Sequence, residues 1–249
     1  MFSFDHLVIN IDEAFQKDNN YINEIIDAGF PYKPSWGKGT KGFKVSNLWI
    51  GNEYFEMVNI LRDDGGGWVN SWTELYNKGH RGLVCLMLDT KDLNNIYSLL
   101  KNKDINITIP EFLKFKWFFN LFTRTMPWRN SYIDFFEGVP LQIGFQEMKD
   151  DKSRKFMDEY MVPNSRENGI LGIKKVLVKG PFTKNDIELL KKIFNDYIIN
   201  TTSITITLDK NQTLVFKKEK EYKIDIFTQC NNENLKNNKI EIENVTIYN

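Results

Sequence analysis

The sequence predicts an α+β fold of repeated βαβββ modules, with a curled mixed sheet enclosing a cleft and the helices outside. Three observations predict it. A strand, a helix and a hairpin follow one another in the first 62 residues. The same strand–helix–strands order returns twice, at a spacing of about 80 residues. Each helical stretch has an apolar stripe on one side only, as a helix does when it covers one face of a sheet.

The first unit is "FDHLVINI", a β-branched and apolar strand, followed by "DEAFQKDNNYINEIIDAGF". In that helix Phe15, Tyr21, Ile22, Ile25 and Ile26 lie near helical spacing, and Gly29 ends it as a C-cap. A turn-rich loop, "PYKPSWGKGTKG", leads into the strands "FKVSNLWIG" and "EYFEMVNIL", joined at Gly51-Asn52.

The second unit begins after "DDGGGWVNSW", read as a Gly-rich connector or lid hinge. "GLVCLMLDT" is a strand. "KDLNNIYSLLKNKDI" is a helix with Leu93, Ile96, Leu99 and Leu100 on one side. "FLKFKWFFNLF" and "VPLQIGFQEM" read as strands. A charged linker (149–159) precedes the third unit, where "GIKKVLVKG" is a strand and "PFTKNDIELLKKIFNDYI" a helix with Thr183 as N-cap. "SITITLDKNQTLVFKKEKEYKIDIF" then supplies two or three strands. The expected organisation is paired modules over 1–147 (about 1–62 and 80–147), a linker over 148–167 and a third module over 168–249. The third module either packs on the pair or offers a dimer surface, which makes a homodimer an expectation.

Composition excludes several function classes. Lys+Arg and Asp+Glu are equal at 33 each, so no global basic field serves nucleic acid or anionic lipid. No apolar run approaches the ~20 residues of a spanning helix. No secretory signal pattern is visible, and Cys85 and Cys230 fit neither a disulfide scaffold nor a zinc knuckle. The expectation is a cytoplasmic protein with a small-molecule ligand, without nucleic acid or membrane as partner.

Two features bear on chemistry. His6 sits in a strand that reads as buried, either as a core histidine with a hydrogen-bond partner or as a metal ligand. The stretch "FLKFKWFFNLFTRTMPWRNSY" (112–132) is the most aromatic. Phe115, Phe118 and Leu121 are expected in the core. Alternation then turns Trp117, Phe119 and Arg124 toward the cleft, and Trp128 is counted with them as ligand-binding. "GKGTKG" is followed by a strand rather than a helix, so it reads as a loop at the cleft mouth and not a phosphate loop.

The pieces "FDHLVINIDEA", "GTKGFKVSNLWIGNEYFEMVNI", "VPLQIGFQ" and "VPNSRENGILGIKKVLV", spread over residues 4–178, resemble the glyoxalase-like proteins of the vicinal oxygen chelate superfamily, which includes glyoxalases, bleomycin-resistance proteins and extradiol dioxygenases. In that superfamily the first and last strands of each module offer inward side chains to a divalent metal. The resemblance places His6 and Glu56 on those positions of the first module, and implies Zn, Ni, Mn or Fe held by them. Glu56 would also serve as the catalytic base next to a substrate carbonyl. The second module departs from the pattern: alignment puts Leu86, or Val84, and Gln142 at the matching places. The resemblance thus leaves two readings. One is a metal-dependent lyase, isomerase or dioxygenase using His6, Glu56 and Gln142. The other is a metal-free binding protein of the bleomycin-resistance type.

Overall fold

The computed structural model describes residues 2–37, 39–117, 122–160 and 163–249, with the side chains at 115–117, 122, 124 and 158–160 left undescribed. In chain order the elements are β1 (Ser3–Asn10), α1 (Ala14–Lys17), α2 (Asn19–Asp27), β2 (Phe43–Ile50), β3 (Glu53–Ile60), α3 (Asn70–Asn77), β4 (Gly82–Asp89), α4 (Leu93–Asn102), β5 (Glu111–Trp117), β6 (Phe122–Tyr132), β7 (Gln142–Met148) and α5 (Asp151–Tyr160). They continue with β8 (Ile170–Gly180), α6 (Lys184–Ile193), β9 (Tyr197–Ile199), β10 (Ser203–Thr207), β11 (Thr213–Lys218), β12 (Lys223–Cys230), β13 (Lys239–Ile242) and β14 (Val245–Tyr248).

The strands form two seven-stranded mixed sheets, β2-β3-β1-β4-β7-β6-β5 and β13-β14-β12-β8-β11-β10-β9. The α+β class and the βαβββ arrangement expected from the sequence are both present. In the first sheet β1 and β4 are antiparallel at the centre, and each has a parallel neighbour, β3 and β7. The second sheet repeats the plan, with β8 and β12 at the centre and β11 and β14 beside them. Residues 168–249 therefore hold two strand groups. The group β12–β14 has no helix, and only α6 gives this region a helical period to read.

Local signals act as the sequence suggests. Gly29 follows α2 with φ +98°, where a side chain would be strained, while Asp18, not singled out from the sequence, divides the expected single helix into α1 and α2 and caps α2 by accepting from Asn20 N. Thr183 and Asp186 form a reciprocal capping box on α6. The Gly51-Asn52 turn joins β2 to β3 in the register Ile50↔Glu53.

Three readings are corrected. The connector after β3 contains α3, whose Trp72 is buried. "FLKFKWFFNLF" is not one strand, because Trp117 of β5 pairs with Phe122 of β6 in an antiparallel hairpin. The charged stretch 149–159 carries α5, whose Arg154 binds Asp89 of β4 at 3.0 Å.

One apolar core lies between the sheets. It runs continuously from Phe4, Leu7 and Ile9 of β1 through Leu86 and Leu88 of β4 to Val176 and Val178 of β8 and Phe216 of β11. Polar bolts join the halves around it: Tyr222 Oη donates to Leu83 O at 2.9 Å, and Asn244 Oδ1 accepts from Leu83 N at 3.0 Å. Among the described residues, no helix is long and apolar enough to cross a membrane.

Candidate functional site

The face of the first sheet turned away from the shared core holds a second apolar cluster: Val8, Val45, Val58, Cys85 and Met87, with Trp72 of α3 packed on them. Helix α3 therefore fills part of the expected cleft. Its hold is polar as well as apolar. Trp72 Nε1 donates to Gln142 Oε1 at 2.9 Å, Asn10 Nδ2 donates to Trp72 O at 3.2 Å, and Tyr76 Oη donates to Asn59 Oδ1 at 2.9 Å.

His6 lies beside this cluster, only 6% exposed. The pairing of β1 with β4 runs Phe4↔Leu88 and then His6↔Met87, which leaves Asp5 as the extra residue of a bulge. A bulge breaks strand alternation and re-aims a side chain. Here it brings Asp5 alongside the next residue instead of across the sheet. Asp5 Oδ1 contacts His6 Nδ1 at 2.5 Å, and Asp5 Oδ2 accepts from Gln146 Nε2 at 2.8 Å. A carboxylate only accepts, so Nδ1 carries the hydrogen and Nε2 is left turned toward Glu56.

That nitrogen is 4.0 Å from Glu56 Oε2. The distance exceeds hydrogen-bond reach, and a ligand oxygen between the two would reach both. The imidazole stacks on Tyr54, with ring centroids 4.7 Å apart and 17° between planes, because His6 and Tyr54 are register partners on parallel strands. Trp49 closes on the other side of Tyr54 at 4.3 Å.

Burial pushes the Glu56 carboxyl above its ordinary range; His6 pulls it back and Asp5 adds to the rise. The same burial holds the Cys85 thiol and the Tyr54 hydroxyl well above theirs. The Glu56 shift sets a sign. The folded state binds this proton more tightly than the unfolded chain, so stability falls as pH rises from the ordinary carboxyl range through the raised value. Glu56→Gln is accordingly expected to raise the unfolding midpoint over wild type at pH 8, with the difference closing toward pH 4. Thermal melts across that range measure it, and a difference that stayed constant with pH would contradict the assignment.

The other expected site residues are placed as follows. In the first module, Glu56 pairs with Val8, two residues beyond His6. In the second, Gly144 pairs with Met87, two residues beyond Cys85. The same offset relates Gly144 to Cys85 and Gln142 to Leu83. Leu86 points into the shared core, and Val84 lies in the cluster under Trp72. Gln142 pairs with Cys85, and its side chain is committed: Oε1 accepts from Trp72 and Nε2 donates to Ile133 O at 2.6 Å. Trp128 is half-buried on β6, paired with Met148. Trp117 and Arg124 have described backbones in the β5–β6 hairpin, but their side chains, and the whole of Phe119, lie outside the described residues.

The donor chemistry tests the implied metal. His6 Nε2 and Glu56 are two donors. Gln142 is a weak donor already hydrogen-bonded, and the fully buried Cys85 has its Sγ 3.5 Å from Met87 Sδ. Among the described residues, no group of three or more His, Cys, Asp or Glu side chains is arranged to hold a metal ion. Catalytic zinc takes three protein ligands, and the non-haem iron triad takes three. The residues present do not fit the group.

Asp5, Tyr54 and Gln146 complete the arrangement and were not singled out from sequence. An acidic residue directly before a buried strand histidine is the one signal that could have found Asp5.

Comparisons with known proteins add the fold. No family model and no curated protein matches the chain. A hypothetical protein from Staphylococcus aureus has a similar solved structure, at 16% identity and a TM-score of 0.70, over 99% of this chain and 98% of that one. The two-sheet arrangement is therefore a fold found across another whole protein. Structures of methylmalonyl-CoA epimerase match a part of the chain. One from Streptomyces coelicolor, in complex with 2-nitronate-propionyl-CoA, covers 59% of this chain and 94% of that one at 12% identity and a TM-score of 0.40. One from Mycobacterium tuberculosis covers 60% and 90% at 12% identity and the same score.

Proposed function

We propose that this protein acts on a small carbonyl compound by metal-free proton transfer, with His6 and Glu56 as the acid–base pair. The observation that supports the reading is the Gln146–Asp5–His6 chain, which presents Nε2 toward a carboxyl of raised proton affinity at 4.0 Å. A histidine backed by a carboxylate accepts a proton and stabilises the charge it gains. Glu56, kept in its protonated form to higher pH by burial, donates one. An acid and a base side by side suit removal of a proton from a carbon next to a carbonyl and its return at a neighbouring atom. Trp49 and Tyr54 supply an apolar wall beside the imidazole, and Tyr132, Trp72 and α3 exclude water from the inner end.

The test is solvent-deuterium exchange into a panel of small carbonyl compounds, followed by proton NMR with protein stripped by chelator. Wild type is expected to exchange at least one of them. His6→Gln and Glu56→Gln are expected to slow it by about 10²-fold or more. Exchange that required stoichiometric Zn, Ni, Mn or Fe(II), or that survived both substitutions, would overturn the reading.

A further inference from the structure

A cavity of about 120 Å³ opens at the start of β1, walled by Asp5, Tyr54, Asp89, Gln146, Arg154 and Lys210. Four structural regions meet there: the first sheet, the turn after β2, helix α5 and a turn of the second sheet. Its acidic groups are already engaged. Asp5 binds His6 and Gln146, and Asp89 binds Arg154. Lys210, which is exposed, makes no ion pair within 4 Å among the described residues, although its charge acts on Asp89 and Glu53, and the Tyr54 hydroxyl makes no hydrogen bond there. The guanidinium of Arg154 uses one nitrogen on Asp89 and keeps others. The uncommitted groups facing this space are thus an ammonium, a guanidinium edge and a phenol, all donors.

Lys210 is held there at a cost. It and Asn211 both have left-handed backbones, φ +56° and +58°, a conformation that residues with a Cβ rarely adopt and that recurs at functional turns. The turn is tied to the strand that carries Asp5 and His6. Asp209 N donates to Phe2 O at 2.7 Å, and Gln212 Oε1 accepts from Phe4 N at 2.8 Å. The second sheet thereby places a cation on the same cavity as the Asp5 carboxylate that contacts the histidine.

We infer that this cavity seats the anionic group of the protein's ligand, a carboxylate or a phosphate, bound by Lys210, Arg154 and Tyr54. The inference rests on the reading of His6 and Glu56 as the reacting pair and narrows its substrate class to small carbonyl compounds bearing an acid group. Two cations match a two- or three-oxygen anion, and the volume admits such a group with little more. Asp5 and Tyr54, which wall this cavity, both touch the His6 ring. This assigns the second sheet a part in the site: it supplies the charge that selects the ligand.

Titration of the full chain with acetate and with inorganic phosphate, followed by amide NMR, tests this. The signals of Tyr54, Arg154 and Lys210 are expected to shift with one or both anions, and the stronger of the two identifies the group. Lys210→Asn removes the charge with a residue that tolerates the left-handed turn, and is expected to weaken binding about tenfold. Lys210→Arg is expected to restore it. Glu56→Gln is expected to keep anion binding, so this result is independent of the exchange experiment. Unshifted signals with both anions, or equal affinity in Lys210→Asn at an unchanged melting midpoint, would overturn the inference while leaving proton transfer at His6 to its own test.

Discussion

Phe216→Ala is expected to destabilise the whole protein by about 3–5 kcal/mol, the cost of emptying a large buried aromatic site. Phe216 has no exposed surface. It meets Phe182 edge-on at 5.5 Å and Phe136 at 5.7 Å. Phe136 belongs to the loop between β6 and β7, so this cluster binds the first sheet's connections to the second sheet. Denaturant unfolding followed by two probes, one in each sheet, measures the effect. Both probes are expected to report one transition, shifted together by the substitution. Separate midpoints, or a loss below ~1 kcal/mol, would show that the sheets do not share a cooperative core. The same continuity leads us to expect that a chain ended at residue 147 aggregates, since it would expose the apolar face now covered by β8, β11 and β12.

Glu53→Ala is expected to cost about 2–4 kcal/mol by leaving buried donors unpaired. Glu53 is 3% exposed at the junction of the sheets. Its Oε1 accepts from Gln212 Nε2 at 2.9 Å, and its Oε2 accepts from Ile173 N at 3.1 Å. Gln212 in turn binds Phe4 N and Ile173 O. Burial raises the proton affinity of this carboxyl, while the Ile173 amide, Lys210 and Gln212 lower it. Removing the carboxylate strands the Ile173 amide of β8 and one of the two N–H groups of Gln212 Nε2, the other keeping Ile173 O. The substitution is also expected to loosen the turn that holds Lys210, so anion binding should weaken along with stability. Chemical denaturation and the acetate and phosphate titrations on the same variant read the two effects. Full retention of both would place the junction outside the energetics of the fold.

Much of the architecture is legible in local pattern. Apolar alternation in "FDHLVINI" and "EYFEMVNI" marks two buried strands, and the single-sided stripes mark α2, α4 and α6. Cap chemistry at Thr183 and Gly29 sets helix ends by bonds within a few residues, so sequence neighbours suffice to predict them. The repeated order of elements identifies βαβββ units because each unit buries the same kind of face. The association of His6 with Glu56 comes from the family resemblance and not from local pattern, and the structure sets His6 Nε2 4.0 Å from Glu56 Oε2.

What only the tertiary structure decided are the contacts that no local period encodes. A bulge at Asp5 shifts alternation by one residue, and a one-residue shift moves a side chain to a different face. That shift turns a strand histidine into a carboxylate-backed base. Helix α3 takes the face that the sequence left open, and its Trp72 takes Gln142 with it, because a buried indole N–H must find an acceptor. The second sheet enters the site through one strained turn, more than 200 residues from His6. Burial patterns record that a residue is inside. They do not record against which partner, and the chemistry at Asp5, His6, Glu56 and Lys210 depends on the partner.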